Sequence, residues 1–275
     1  MNKIPVTIII PVKNEALHIR KCLECLLEFS EVIIVDSGST DNTLEIIKEF
    51  DVRLINFVWN GSFPKKRNWV LLNHTFSNDW ILFLDADEYL SENFISEIKD
   101  TIANTSNVAF WLNYSTYFMC RKLKFGDRMK KLAFFRKGSA LYERIEDNNW
   151  SDLDMEVHEH PIVNGKVGTI KSIIEHRDFG DLAKYIKKHD SYSTWEAKRF
   201  MNLNSEYSHL LNFRQKIKYY IMSFGLSPFV YFVYSYFIKL GFLDGRRGLY
   251  FASYKAFYYF MIQSKITELK YKNNK

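Results

Sequence analysis

The apolar residues of the chain fall into short unbroken runs separated by stretches of helical period. Residues 6–12, 32–35 and 80–84 each have the length and continuity of a buried parallel strand, and residues 52–57 read as a further strand. After the first run, Ala16, Ile19, Leu23 and Leu26 recur at the spacing of one helix face. After the second, Ser39 to Asn42 offer several N-caps to a helix carrying Leu44, Ile46 and Ile47. After the third, a helix runs through Trp69, Leu72 and Asn73. Strands alternating with helices predict an α/β fold, a mostly parallel sheet flanked by helices. Residues 108–118, 132–136 and 173–176 read as further strands, with a basic loop over 121–131. From Asp181 the pattern turns helical: Leu182, Tyr185, Ile186, His189, Tyr192 and Trp195 fall near one face. The expected division is an α/β domain over 1–180 and an α-helical C-terminal appendage over 181–275.

The polar residues that end these runs carry the candidate chemistry. The fourth run leads into Asp85-Ala86-Asp87-Glu88. Open α/β sheets gather ligands at the carboxyl ends of their strands. Strand alternation would aim Asp85 and Asp87 the same way. Two such carboxylates repel unless a cation lies between them or one takes a proton. A hard divalent cation, Mg²⁺ or Mn²⁺, held by one or two carboxylates and completed by water and substrate phosphates, suits the pair. The same residues also fit a solvated acidic turn. Asp36 closes the second run, where an acidic residue of an α/β unit reaches a ribose or base; capping its own loop is the alternative. Lys65-Lys66-Arg67 stand before the third helix, a place for a basic cluster to meet phosphate or to be solvated. No Gly-x-Gly-x-x-Gly joins the first strand to its helix, which argues against the usual dinucleotide fold.

Charge divides the chain. From residue 181 onward sixteen Lys/Arg face six Asp/Glu, a net of +10 against +6 for the whole chain, so the front carries −4. A neutral-to-acidic front and a basic, aromatic back imply two jobs. Three cysteines without a visible presequence point to a reducing compartment. Cys22 and Cys25 form a C-x-x-C with no second pair to complete a zinc site, so packing is expected of them.

Three motifs stand in order: Pro11-Val12-Lys13-Asn14-Glu15, Val35-Asp36-Ser37-Gly38-Ser39-Thr40-Asp41 and Leu84-Asp85-Ala86-Asp87-Glu88. Together they resemble the nucleotide-sugar half of a family 2 glycosyltransferase with the Rossmann-like GT-A fold. The resemblance covers roughly the first 180 residues. It implies that Pro11, Lys13 and Glu15 line the nucleoside pocket and that Asp36 contacts the nucleobase. Lys66, Arg67 and Asp85 complete the implied donor site, and Asp87 binds the metal. Glu156-Val157-His158-Glu159-His160 is similar to the Val-His-Glu form of lipopolysaccharide core β-glucosyltransferases of the WaaE/KdtX kind. There the implied catalytic base is Glu159, with Glu156 its competitor. His176, after a strand, matches a histidine of that branch and becomes a second candidate metal ligand. No Gln-x-x-Arg-Trp follows, which speaks against a processive polymerase.

Inverting transfer needs a base to take the acceptor hydroxyl proton and positive charge on the departing diphosphate. The expected reaction moves a sugar, with glucose from UDP-glucose the first candidate, onto a lipid-linked saccharide such as lipopolysaccharide core. Residues 219–238 carry no charge, yet Gly225, Ser227 and Pro228 interrupt them. With the second aromatic stretch 249–262 and the basic residues around both, they suit a helix lying on an anionic membrane. The expected location is the inner face of the cytoplasmic membrane, peripherally bound. A core-packing helical hairpin and a transmembrane span are the alternatives. A rival reaction transfers sugar to a polyprenyl phosphate, an anion that needs no base. A non-catalytic membrane or nucleic-acid binder is the rival from another class. The acidic front argues against nucleic acid as a partner.

Overall fold

The computed structural model describes residues 3–144, 161–177, 182–203, 211 and 213–273; Glu156, His158, Glu159 and His160 lie outside them. The chain divides into two compact units, Met1–Thr116 with Met129–Asp178, and Tyr117–Arg128 with Phe179–Lys275.

The first unit is mixed α/β. The unbroken apolar runs over 6–12, 32–35 and 80–84 become strands that are largely buried, as a parallel sheet covered by helices requires, whereas the run over 52–57, broken by Arg53 and Asn56, becomes an edge strand with only Ile55 buried. β1 (Ile4–Val12) lies between β2 (Phe29–Asp36) and β4 (Trp80–Phe83), with β3 (Arg53–Asn56) outside β2, all parallel. The register pairs Val12 with Asp36 and Ile9 with Phe83, so the motif residues that follow these strands emerge along one edge. Helices α1 (Ile19–Glu24), α2 (Thr43–Ile47) and α3 (Lys66–Asn73) connect the strands. Beyond β4 the sheet turns antiparallel through β8 (Lys130–Arg136) and β6 (Ala109–Phe118), then continues to β11 (Val167–His176) and β5 (Glu88–Tyr89). Its centre is a core of Ile8, Ile9, Ile33, Leu82, Phe134 and Phe135, all excluded from water. β7 (Arg121–Leu123) occupies part of the expected basic loop. A separate two-stranded pair joins β9 (Ala140–Tyr142) and β10 (Pro161–Val163).

Two local features aim the ends of this sheet. α4 (Glu92–Asn104) starts where the Ser91 hydroxyl accepts the Phe94 N–H, with Glu92 in its first turn favoured by the helix dipole. The register of β11 slips between Thr169 and Ile173. There the Glu97 carboxylate accepts the N–H groups of Lys171 and Ser172, each at 2.8 Å, and Asn113 donates to the Ile170 carbonyl at 2.7 Å. Side chains thus satisfy the backbone groups that the bulge removes from the ladder. The first helix is shorter than its apolar period predicts, because residues 13–18 are drawn into a loop.

The second unit is helical: α5 (Leu182–Asn202), α6 (Phe213–Ser223), α7 (Ser227–Val233) and the long α8 (Gly245–Asn273). A π turn over Tyr234–Ile238 and a 3₁₀ turn over Gly241–Asp244 lead into α8. Apolar burial between α6 and α8 gathers Tyr219, Met222, Tyr258, Ile262 and Ile266, with Ala197 of α5. The Asp244 carboxylate accepts the N–H groups of Lys124 and Phe125, and Phe118 and Leu123 pack with Phe251. These contacts hold the excursion Tyr117–Arg128, which lies inside the expected first domain, to the second unit. A Cβ on Gly248 would stand 1.9 Å from the Gly241 carbonyl oxygen, so only bare backbone fits that approach. The uncharged run 219–238 is not one helix. Gly225 breaks it with φ +72°, and Pro228 opens the next helix. Among the described residues no helix is long and apolar enough to cross a membrane.

Candidate active site at the carboxyl ends of the parallel strands

The loops after β1 and β2 are stitched into one ledge. Asn14 adopts φ +58°, a conformation asparagine tolerates better than most residues. Its N–H donates to Ser39 Oγ at 2.9 Å, and its side-chain oxygen accepts the Thr40 N–H at 2.7 Å. Glu15 N–H donates to Thr43 Oγ1 at 2.8 Å and Ala16 N–H to Asp41 Oδ2 at 3.2 Å. Asp41 also accepts from the N–H and hydroxyl of Thr43, which hold its carboxyl below the usual range. Pro11 is buried in β1, Lys13 is exposed and Glu15 half-buried on this ledge. Asp36 is buried at its back. It accepts the Gly38 N–H at 2.9 Å and the N–H and hydroxyl of Ser39. The carboxylate expected at the base therefore also closes its own turn, an Asx-type arrangement.

At the end of β4 the carboxylates part company. The strand stops at Phe83, and a turn over 84–87 replaces the alternation that would have aimed Asp85 and Asp87 alike. Asp85 is met by Arg67 Nη2 at 3.2 Å and by the Lys131 ammonium. Burial alone would raise its pKa, but Lys131 and Arg67 outweigh burial and hold the carboxyl far below the usual range. Lys131 reaches Glu88 as well, lies over the Tyr114 ring at 5.1 Å, and has its own pKa raised by the two carboxylates against its burial. Glu88 is 1% exposed and accepts the Asp85 N–H at 3.0 Å. Burial and the neighbouring Asp85 push it up to about 7 although Lys131 pulls the other way. Lys131 thus offsets the adjoining negative charges of Asp85 and Glu88, while Asp87 points elsewhere.

Asp87 turns toward β11. The short β5 pairs antiparallel with the end of that strand, His176 opposite Glu88, and the Arg177 N–H donates to the Asp87 carbonyl. His176 Nε2 lies 3.3 Å from Asp87 Oδ2, and Asp87 raises the imidazole pKa against burial. The carboxylate suits Mg²⁺ or Mn²⁺, with water and diphosphate oxygens completing the shell, and the imidazole beside it favours the softer Mn²⁺ of the two. Among the described residues no group of three or more His, Cys, Asp or Glu is placed to hold a metal. The pair Asp87 and His176 is the part of the turn whose chemistry fits such a cation.

Lys65 and Lys66 are buried rather than solvated, at the start of α3. Arg67 faces Asp85 and lies over the Tyr142 ring. Asn68 fixes the helix by exchanging two 2.9 Å hydrogen bonds with the Tyr142 backbone. Sequence alone gave Lys131, Asn14, Asp41 and Asn68 no part in the site. Lys131 looked like the end of a basic loop, and only the β4–β8 pairing brings it opposite the acidic turn. Asn14 and Asp41 sat inside recognised motifs, which was the available signal. Cys22 is buried behind the turn, with its thiol pushed up by burial, and both it and Cys25 are free. The expected base, Glu159, lies outside the described residues, as does its competitor Glu156.

The model of the family described as "Glycosyl transferase family 2" matches residues 7–157. An uncharacterised glycosyltransferase of Rickettsia typhi is 26% identical, over 99% of this chain and 89% of its own. The lipopolysaccharide core biosynthesis glycosyltransferase LpsC of Rhizobium meliloti is 24% identical, over 96% of this chain and 92% of its own. Among solved structures, S. aureus TarS is similar at a TM-score of 0.44 and 16% identity, over 87% of this chain and 45% of that one. Glucosyl-3-phosphoglycerate synthase from Mycobacterium tuberculosis, in complex with Mn²⁺, UDP and glucosyl-3-phosphoglycerate, is similar at a TM-score of 0.33 and 19% identity, over 42% of this chain and 44% of that one.

Proposed function

The chain belongs to glycosyl transferase family 2, and we propose that within it the protein is a metal-dependent, inverting enzyme. In this reading it moves a sugar, glucose first among candidates, from a UDP-linked donor to a hydroxyl of a lipid-linked saccharide. The relative named for lipopolysaccharide core biosynthesis, matched over nearly its whole length, favours lipopolysaccharide core as the acceptor. The observation that carries the proposal is the acidic turn Asp85-Ala86-Asp87-Glu88 at the carboxyl end of β4, with three of its side chains on named partners.

Asp87 and His176 would hold Mg²⁺ or Mn²⁺. When bound, such a cation supplies positive charge to the departing diphosphate. Arg67 and Lys131 already neutralise Asp85, so the donor phosphates approach a site whose first carboxylate is spent. Pro11, Lys13, Glu15 and Asp36 would receive the nucleoside on the ledge, and Lys66 would add positive charge near the phosphates. Glu159 would take the proton from the acceptor hydroxyl on the face opposite the leaving group. The protein would work at the inner face of the cytoplasmic membrane, where such an acceptor is reached.

Glu159→Gln tests the reaction class. With UDP-glucose and a hydroxyl acceptor, turnover is expected to fall by about two to four powers of ten, the usual contribution of a general base. A variant that keeps full transfer to a hydroxyl would remove Glu159 from this role. Selective loss with Glu156→Gln would hand the role to Glu156. Asp36→Ala tests the nucleoside ledge. Calorimetric UDP affinity should drop by about 1.5–3 kcal/mol, the scale of a hydrogen bond to a charged group. Unchanged affinity in a folded variant would leave Asp36 as the closing residue of its turn alone.

A further inference from the structure

The second unit leaves an unusual surface uncovered. Between residues 224 and 243, eleven large apolar side chains are exposed, Phe229 at 73% and Ile238 at 66% among them. Isolated exposed hydrophobics are ordinary; so many in twenty positions mark an interaction site. They are grouped as well as numerous. Leu226, Phe229, Val230, Val233 and Phe237 recur at helical spacing through α7 and the π turn, so they share one stripe. The apolar clusters of the unit, around Tyr219, Met222 and Ile262 and around Phe118 and Phe251, include none of the stripe's side chains. The stripe is therefore surplus to folding.

The charges around it say what covers it. From residue 213 to residue 250 the only carboxylate is Asp244, and it is turned inward onto the Lys124 and Phe125 N–H groups. Arg214, Lys216, Lys239 and Arg246 are exposed over the same stretch. Lys239 rests over the Tyr234 ring at 5.3 Å, at the edge of the stripe, so its ammonium and the apolar side chains are presented together. Lys255 does not belong to this set. It is half-buried over the Phe251 ring, and burial lowers its pKa. The helices here are broken at Gly225 and again at Leu240, which adopts φ +58°. Short helices with an aromatic stripe and a basic rim lie in an interface; they do not cross it.

We infer that the stripe from Leu226 to Phe237, continued by Ile238 and Leu243 and rimmed by Lys239 and Arg246, is a docking surface for an anionic lipid bilayer. The aromatic rings enter the headgroup region and the cations meet lipid phosphates. The inference deepens the proposed function and rests on it for the lipid-linked acceptor, because a docked enzyme meets that acceptor in two dimensions.

The test is co-sedimentation of the full chain with phosphatidylcholine vesicles, with and without about one third phosphatidylglycerol. Binding is expected to the anionic vesicles, and about 1 M NaCl should release only part of it, because screening acts on the cations and leaves apolar burial intact. Lys239→Gln with Arg246→Gln should weaken the partition about 30-fold, the product of two cations near an anionic surface. Phe229→Asp with Phe237→Asp should weaken it by more than about 100-fold, since two aromatic side chains lose their apolar cover. Both variants replace exposed residues, and release of UDP from the donor in detergent-free buffer should be unchanged. Full-length protein that stays in the supernatant with both vesicles while hydrolysing donor overturns the docking surface and leaves the enzymatic reading standing. Vesicle binding that needs the stripe in a protein without donor turnover does the reverse. A dimer in solution that the two Phe→Asp changes dissociate, with no vesicle binding, overturns the inference in favour of a second copy of the chain.

Discussion

Asp87→Ala is expected to lower donor turnover by at least about three powers of ten, since the charge stabilisation a bound cation supplies is worth several kcal/mol. The effect should exceed that of any neighbouring carboxylate, because Asp87 alone among the three is not met by Lys131. Its partner is an imidazole, which a metal can share, whereas the partners of Asp85 are permanent cations. The variant should fold normally. Asp87 is partly exposed at a turn, and its carbonyl, which accepts the Arg177 N–H, is kept. The measurement is nucleoside diphosphate release from UDP-glucose with Mn²⁺ or Mg²⁺, with circular dichroism to confirm the fold. Turnover that survives in excess EDTA would sink both the residue assignment and the metal dependence.

Lys131→Met is the second large effect, and it falls first on stability. The lysine stands between two carboxylates, one of them fully enclosed. Methionine keeps much of the stem's packing over Tyr114 and removes the charge. Breaking a buried ion pair by deleting one partner costs about 3–5 kcal/mol. Lys131 is 28% exposed and Asp85 33%, so water reaches part of the cluster and the lower figure, about 3 kcal/mol, is the expectation. Urea unfolding measures it. The double variant Lys131→Met, Asp85→Asn should recover most of the loss, because Asp85 is the carboxylate that stays charged and its charge goes with its partner. A double variant as unstable as the single one would show that the lysine matters through packing rather than charge. Activity should fall in the single variant as well, since Asp85 would then face the donor phosphates as a less compensated anion.

Much of this architecture follows from local pattern. Continuous apolar runs of strand length can be buried only in a covered sheet, so β1, β2 and β4 were legible with small errors at their ends. Parallel pairing then places Val12, Asp36 and the residues after Phe83 along one edge. That is why three separated motifs could be read as one site. The breaks in 219–238 were equally legible, because Gly225 and Pro228 act on the backbone wherever they stand. The first helix was overread. Its apolar spacing begins at Ala16, yet the N–H groups of Asn14, Glu15 and Ala16 are taken by Ser39, Thr43 and Asp41, so regular helix starts only at Ile19.

What the sequence determined by itself was the set of short-range preferences: which runs are strands, which loops carry acid, where the basic aromatic helices begin. Those preferences depend on neighbours within a turn or a strand, and they survive any packing. Which side chains meet was decided by tertiary structure alone. Asp85 and Asp87, two residues apart, separate to Lys131 and His176 because β8 and β11 arrive on different sides of the turn. Lys131 is 46 residues from Asp85, and no period or composition records that distance. The charge state of the acidic turn is likewise a tertiary property. Electrostatic energies depend on burial and on separation in space, and both are set only when distant strands pair.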